Sequence, residues 1–410
     1  MEIWWYHHTI PPQNHAHTLT QINYKPIRSL ILRSQMRILP FATEHFFAQY
    51  EFNTRYQLCN SDCESMTIQD LLGLANVDAK EFENLTLGYT ESQGDPDLRK
   101  AIASSYETVK PDDVIVLGSP VEGIYLAARA LLEPNEEVIV LNPAYDALYN
   151  MFAHIVGSEH VRKWELQAGE SEWELDLGIL QALITERTKL IVVNFPHNPT
   201  GYLPTLDELN QLVALASEHG IWIFYDEMYY GLVHSGTPDI PSAADLYDKA
   251  VVLSGLSKTY GLPGLRTGWL VVKDASLRAI IMNWKFYTSI CPPAPSEYLA
   301  KIALSVKESI RQRNIGIIEK NLQIADAFFS RWPNLFKWRR PRAGSVALVE
   351  MDVPSASEFS KKMAEEAGIL IQSAQMLGGT DQQIRMGFGR TAFSDALSHF
   401  EAYLKRTFVD

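Results

Sequence analysis

Five short apolar runs punctuate the middle of the chain: Val114-Ile-Val-Leu117, Val138-Ile-Val-Leu141, Leu190-Ile-Val-Val193, Ile221-Trp-Ile-Phe-Tyr225 and Ala250-Val-Val-Leu253. Each is short, rich in β-branched residues and closed by a polar or glycine turn, which is the pattern of a strand buried on both faces. The stretches between them read as helices, over residues 97–107, 122–132 and 206–219, the last with Leu209, Leu212 and Leu215 along its buried side. Strand and helix alternating from 114 to 270 predict an α/β fold with a largely parallel sheet.

The pattern changes on either side. From Ile38 to Ala75 the chain is amphipathic, with Phe41, His45, Phe46, Phe47, Tyr50 and Phe52 spaced as one helix face, and Thr67 opens a second helix with an N-cap signature. After the proline-dense break Cys291-Pro-Pro-Ala-Pro295, a long helical region is expected over residues 297–330. Strands at 344–350, 368–371 and 383–389 and a helix at 357–366 follow. We therefore expect a large domain over residues 76–295 and a smaller α+β domain over 296–410, to which 36–75 adds its N-terminal part. Residues 1–35 hold Trp4, Trp5, His7, His8, His15 and His17 with Glu2 as the one acidic residue, and lack a regular period. They are expected to lie outside the fold, with Met36 as an alternative start.

Composition narrows the function. The 410 residues carry a net charge of −13, which does not favour nucleic acid or an anionic membrane. No apolar run approaches the roughly 18 residues of a membrane span. The three cysteines, Cys59, Cys63 and Cys291, make neither a disulfide framework nor a zinc site, and are expected to be free thiols in the cytoplasm.

The chemistry gathers at the predicted strand ends, where open α/β sheets bind ligands. Lys258 stands just past the run 250–253, and Arg266 follows eight residues later across Gly261, Pro263 and Gly264. A lysine so placed suits covalent chemistry and an arginine suits an anion. Gly118-Ser-Pro-Val-Glu-Gly123 joins a strand to a helix N-terminus, whose free N–H groups and dipole make a phosphate cradle. Pro120 has no N–H to give. Asp226 closes another strand, with Tyr229 three residues on.

Ser-Gly-Leu-Ser-Lys258-Thr-Tyr-Gly-Leu-Pro-Gly-Leu-Arg266-Thr-Gly, His-Asn198-Pro-Thr-Gly, Asp226-x-x-Tyr229 and Ile-Arg385-x-Gly occur in the order found in the class I/II aminotransferases, which this chain resembles from about Tyr89 to Arg385. The resemblance implies the pyridoxal phosphate (PLP) transferase fold of type I, an α/β fold with a mostly parallel seven-stranded sheet plus the smaller domain. It implies PLP as cofactor, an amino acid and a 2-oxo acid as substrates, and a homodimer.

It also assigns roles. Lys258 binds the cofactor and moves the proton. Asp226 faces the pyridine nitrogen, while Tyr229 and Asn198 face the ring hydroxyl. Tyr145 lies on the ring. Ser119, the Val121 backbone, Ser257 and Arg266 take the phosphate, and Tyr89 reaches the phosphate of the other subunit. Arg385, with Asn198, holds the substrate carboxylate.

Gly255 stands where the family often has serine, so with Pro120 two phosphate donors are expected to differ. Two rival functions are carried forward. One is a PLP-dependent lyase or cyclase of the capreomycidine synthase type, which residues 50–72 and Val-Val-Asn-Phe-Pro-His-Asn-Pro-Thr-Gly resemble. The other is a ligand-binding regulator, disfavoured because no DNA-binding pattern accompanies the lysine site. The motifs leave the substrate side chain open, and no second arginine is assigned to a distal carboxylate.

Overall fold

The computed structural model describes residues 38–408. The expectation for residues 1–35 lies outside them.

A seven-stranded sheet runs through the larger part of the protein in the order β2-β8-β7-β6-β5-β3-β4. Its strands are β2 (Val114–Leu117), β3 (Glu137–Asn142), β4 (Val161–Glu165), β5 (Thr188–Asn194), β6 (Trp222–Asp226), β7 (Ala250–Gly255) and β8 (Gly268–Val272). All neighbours pair in parallel except β8, which is antiparallel to both β2 and β7. The apolar runs are continuous because both faces are covered. Alternate residues enter two different cores, with Ile139, Leu141, Ile191 and Val193 in one, and Val138, Val140, Leu190 and Val192 in the other.

Helices α3 (Pro96–Ala103), α6 (Leu206–Glu218) and α8 (Ala294–Ser305) close the first face. Helices α4 (Pro120–Leu131), α5 (Ala147–Val156) and α7 (Ala275–Phe286) close the second. On α6, Leu209, Leu212 and Ala216 are buried, each leucine worth roughly 1.5–3 kcal/mol by the area it removes from water.

A four-stranded antiparallel sheet of order β9-β10-β13-β12 carries a further core. It is built from β9 (Phe336–Trp338), β10 (Val346–Met351), β12 (Gln372–Ser373) and β13 (Gln383–Gly387). Helices α9 (Lys307–Phe329), α10 (Ala356–Lys362) and α11 (Phe393–Phe408) pack on it.

Two expectations change. The predicted helical region at 297–330 is broken at Val306 (φ −119°, ψ 23°) into α8 and α9. The break lets α8 pack in the core of the large sheet and α9 in that of the small one. The amphipathic segment 38–75 is helical only in α1 (Ala42–Tyr50) and α2 (Ile68–Leu74).

Thr67 and Asp70 do cap α2 reciprocally. Between the two helices the chain is extended. Phe52, expected on a helix face, lies in the turn that ends α1 and is 88% exposed; beyond it β1 (Tyr56–Gln57) pairs with β11 (Ile369–Leu370). The segment straddles both cores, since Leu58 and Cys63 enter that of the small sheet and Leu71 and Leu72 that of the large one.

Candidate active site

The parallel strands β5, β6 and β7 end level, with Asn194 opposite Asp226 and Asp226 opposite Leu253. The loops leaving these ends bring Asn198, Tyr229, Ser257 and Lys258 to one cavity of about 620 Å³, also lined by Asp226 and Arg385. Asn194 holds the group in register. Its side chain donates to the Asp226 carbonyl (2.8 Å) and accepts from the Asn198 N–H (2.7 Å).

Asp226 is buried, and one oxygen accepts from the Met228 N–H at 2.9 Å. Burial pushes its pKa up to about 6, opposed by that bond and by Lys258. Its neighbour Glu227 faces the other way and accepts from Ser242 and the Ala243 N–H. Lys258 donates to Ser61 Oγ at 2.7 Å. Burial lowers its pKa, and Arg385 adds to the effect while Asp62, Glu44 and Asp226 oppose it. A lysine so biased more readily offers a free amine to a carbonyl. Tyr229 Oη and Ser257 Oγ are buried in the cavity wall without a partner.

Arg385 comes from the small sheet, where it pairs with Leu348 on β10 and Gln372 on β12. It is 1% exposed. One Nη donates to Asn198 Oδ1 (3.1 Å), the other to the Cys59 carbonyl (3.0 Å), and Nε has no partner. A buried cation with only neutral acceptors and a spare N–H calls for an anion.

The remaining predicted residues sit further out. Pro120 opens α4, with Ser119 as its N-cap making no capping bond. Pro120 and Val121 line the cavity, and Ser119 does not. Glu122 turns aside to accept from the Gly118 N–H (2.9 Å) and from Thr288. Arg266 lies at the cavity rim in a left-handed conformation (φ 49°), its Nη1 on the Pro263 carbonyl. Tyr145 lines the cavity and donates to Glu44 Oε1 at 2.9 Å. Tyr89 is outside the cavity and 94% exposed.

Sequence reasoning did not single out Ser61, Asn194, Asp62, Arg390 or the α1 residues Glu44, Phe47 and Glu51, all of which line the cavity. Asn194 carried a usable signal, a polar residue closing an apolar strand. Ser61 carried none, because its partner Lys258 is 197 positions away. Among the described residues no metal-holding cluster and no helix able to cross a membrane occurs.

The profile described as "Aminotransferase class I and II" matches residues 57–395. Capreomycidine synthase of Streptomyces vinaceus is 27% identical over 348 residues, covering 84% of this chain and 88% of that protein. A PLP-dependent aminotransferase from Streptococcus suis has the same fold, with a TM-score of 0.84, 29% identity, and coverage of 90% of this chain and 99% of that one. The PLP-dependent cyclase OrfR matches with a TM-score of 0.83 at 23% identity, covering 92% of this chain and 99% of its own.

Proposed function

The chain belongs to the class I and II aminotransferase family, and from that premise we propose that it transfers the amino group of an amino acid to a 2-oxo acid, with Lys258 carrying the proton. Its cofactor is pyridoxal phosphate, as in the S. suis structure it resembles. The site fits that group: a lysine with lowered pKa, a carboxylate at a strand end, two unpartnered buried hydroxyls and a helix N-terminus converge on one cavity. When bound, pyridoxal phosphate supplies an electron sink for the charge left on the substrate Cα as its proton departs.

The protein's own groups do the rest. Asp226 would meet the cationic ring nitrogen, which would offset the cost of burying its carboxylate. Tyr229 and Asn198 would take the ring hydroxyl of the bound cofactor, and Tyr145 would stack on its ring. Val121, Ser257 and Arg266 in the lining, with Ser119 next to them in the chain, would hold the phosphate. Ser61 steadies the Lys258 amine at 2.7 Å. The observation that carries the reading is the buried Arg385 with its unpartnered Nε. A carboxylate held there is not free to leave, so the proton on Cα is the group for Lys258 to remove.

We also infer a homodimer in the cytoplasm. Tyr89 and Tyr287 are largely exposed, and exposed aromatic side chains of this kind fit a subunit interface. The cysteines are free.

The similarity to capreomycidine synthase keeps a second reading, elimination with cyclisation. The test is the absorption spectrum of the loaded protein given amino acids without a 2-oxo acid. Stoichiometric conversion of the cofactor to its amine form identifies transamination. An unchanged cofactor with release of a leaving group selects the second reading. Lys258→Ala is expected to abolish turnover in either case.

A further inference from the structure

The cavity holds more carboxylates than its expected contents neutralise. Lys258, Arg266, Arg385 and Arg390 are the cations in its lining, and Glu44, Glu51, Asp62 and Asp226 the anions. Arg390 is committed, since its Nη2 contacts both oxygens of Asp62 at 2.9 Å. Resting on the reading above, Arg266 and Arg385 meet the phosphate and the substrate carboxylate, Lys258 joins the cofactor, and Asp226 meets the ring nitrogen. Glu44 and Glu51 are left over. Glu44 accepts only a phenolic hydrogen bond from Tyr145, and neither glutamate has an ion pair among the described residues.

Their placement is ordered. Glu44 and Phe47 lie on α1 and Glu51 is its C-cap in helical conformation, so positions i, i+3 and i+7 share one face, and all three line the cavity. The Phe47 ring already lies 5.9 Å from the Arg385 guanidinium carbon, an aromatic face offered to a cation inside the cavity. Burial raises the Glu51 pKa, and the Asp62 charge adds to it. An arriving cation relieves both.

An independent feature says that an anionic ligand group belongs in this cavity. The buried, unpartnered Nε of Arg385 calls for the ligand's carboxylate, and the two glutamates, of opposite charge, suit a cationic group on the same ligand.

We propose that the amino acid taken by this site carries a cationic side chain, guanidinium or ammonium, received by Glu44 and Glu51 beside Phe47. A dicarboxylic amino acid is disfavoured for the converse reason: it would face two glutamates, while Arg390 is occupied by Asp62.

Binding tests this without turnover. The loaded wild-type protein is titrated calorimetrically with 5-guanidinopentanoate, hexanoate and adipate, which offer a carboxylate at one end and a cationic, neutral or anionic group at the other, and which have no amino group to transfer. We expect 5-guanidinopentanoate to bind about tenfold tighter than hexanoate, with adipate weakest, as two partly exposed charge contacts allow. Glu51→Gln and Glu44→Gln should each reduce that preference about threefold. Equal binding of the three carboxylates, or a preference unaltered in both variants, overturns the proposal alone. Failure of all three to bind, with Arg385→Gln making no difference, also removes the carboxylate role of Arg385 and with it the functional reading beneath.

Discussion

Pro120 packs against Gly255: a Cβ built on Gly255 would come within 3.1 Å of Pro120 Cγ, and within 2.9 Å of the Thr267 carbonyl oxygen. Gly268, the ladder partner of Gly255, is equally close beneath the same ring, its Cβ meeting Pro120 Cα and Cγ at 2.9 Å. In the sequence these are two separate departures from the family pattern. In the fold they are one contact, with the helix-opening ring seated on a pair of glycines.

Restoring serine at Gly255 is therefore expected to destabilise the protein by about 1–3 kcal/mol, as overpacking does. In a Pro120→Ala background, which removes Cγ, the cost should fall by about 1 kcal/mol. Urea unfolding of the two single variants and the double variant measures the coupling. Equal costs in both backgrounds would show that the ring and the glycine do not share the strain.

Asp226→Asn should stabilise the cofactor-free protein while weakening cofactor binding. The carboxyl has a pKa of about 6 folded against 3.8 as the ordinary value. Both states are protonated below the lower value, and the folded state carries the full penalty of the buried charge above the upper one. Wild-type stability contributed by this group thus falls as pH rises from 4 to 6. The variant's advantage should be small near pH 4 and reach roughly 3 kcal/mol at pH 8. Thermal melts at the two values check it, and an advantage that grows on acidification would reverse the sign.

Arg385→Gln removes the charge while keeping a donor near Asn198. The expected result is a rise in KM for the amino acid and a fall of roughly 10–100-fold in kcat/KM, the scale of a lost charge-assisted bond. The cofactor spectrum should be unchanged, because the arginine is assigned to substrate. An unaltered KM would place the carboxylate elsewhere.

At 94% exposure Tyr89 is scarcely covered by the described residues of its own chain. Light scattering should find a dimer, and Tyr89→Ala should weaken cofactor binding about tenfold without unfolding the chain. A fully active monomer, or an unaffected cofactor Kd, would return Tyr89 to an ordinary surface residue.

Much of the fold and part of the site were legible in the sequence because they depend on neighbours in the chain. The apolar runs at 114–117, 138–141, 190–193 and 250–253 read as strands since a segment buried on both faces needs no alternation. Asp226 was legible because it closes the run at 221–225, and Lys258, Tyr229 and Asn198 because they occupy the loops that such strand ends lead into. The same local logic failed at Phe52 and at Val306. There the first helix ends in a turn so that the chain can pair near residue 369, and two cores compete for one long helix.

What the sequence determined by itself was the set of strand ends and the reactive groups borne on them, since both follow from short-range pattern and covalent order. Only tertiary structure decided what surrounds those groups. Ser61 reaches Lys258 across 197 positions, and Arg385 bonds the Cys59 carbonyl across 326. Glu44 and Glu51 enter the cavity because α1 is laid across it. Such contacts are set by packing two sheets and one helix together, and no spacing along the chain encodes them.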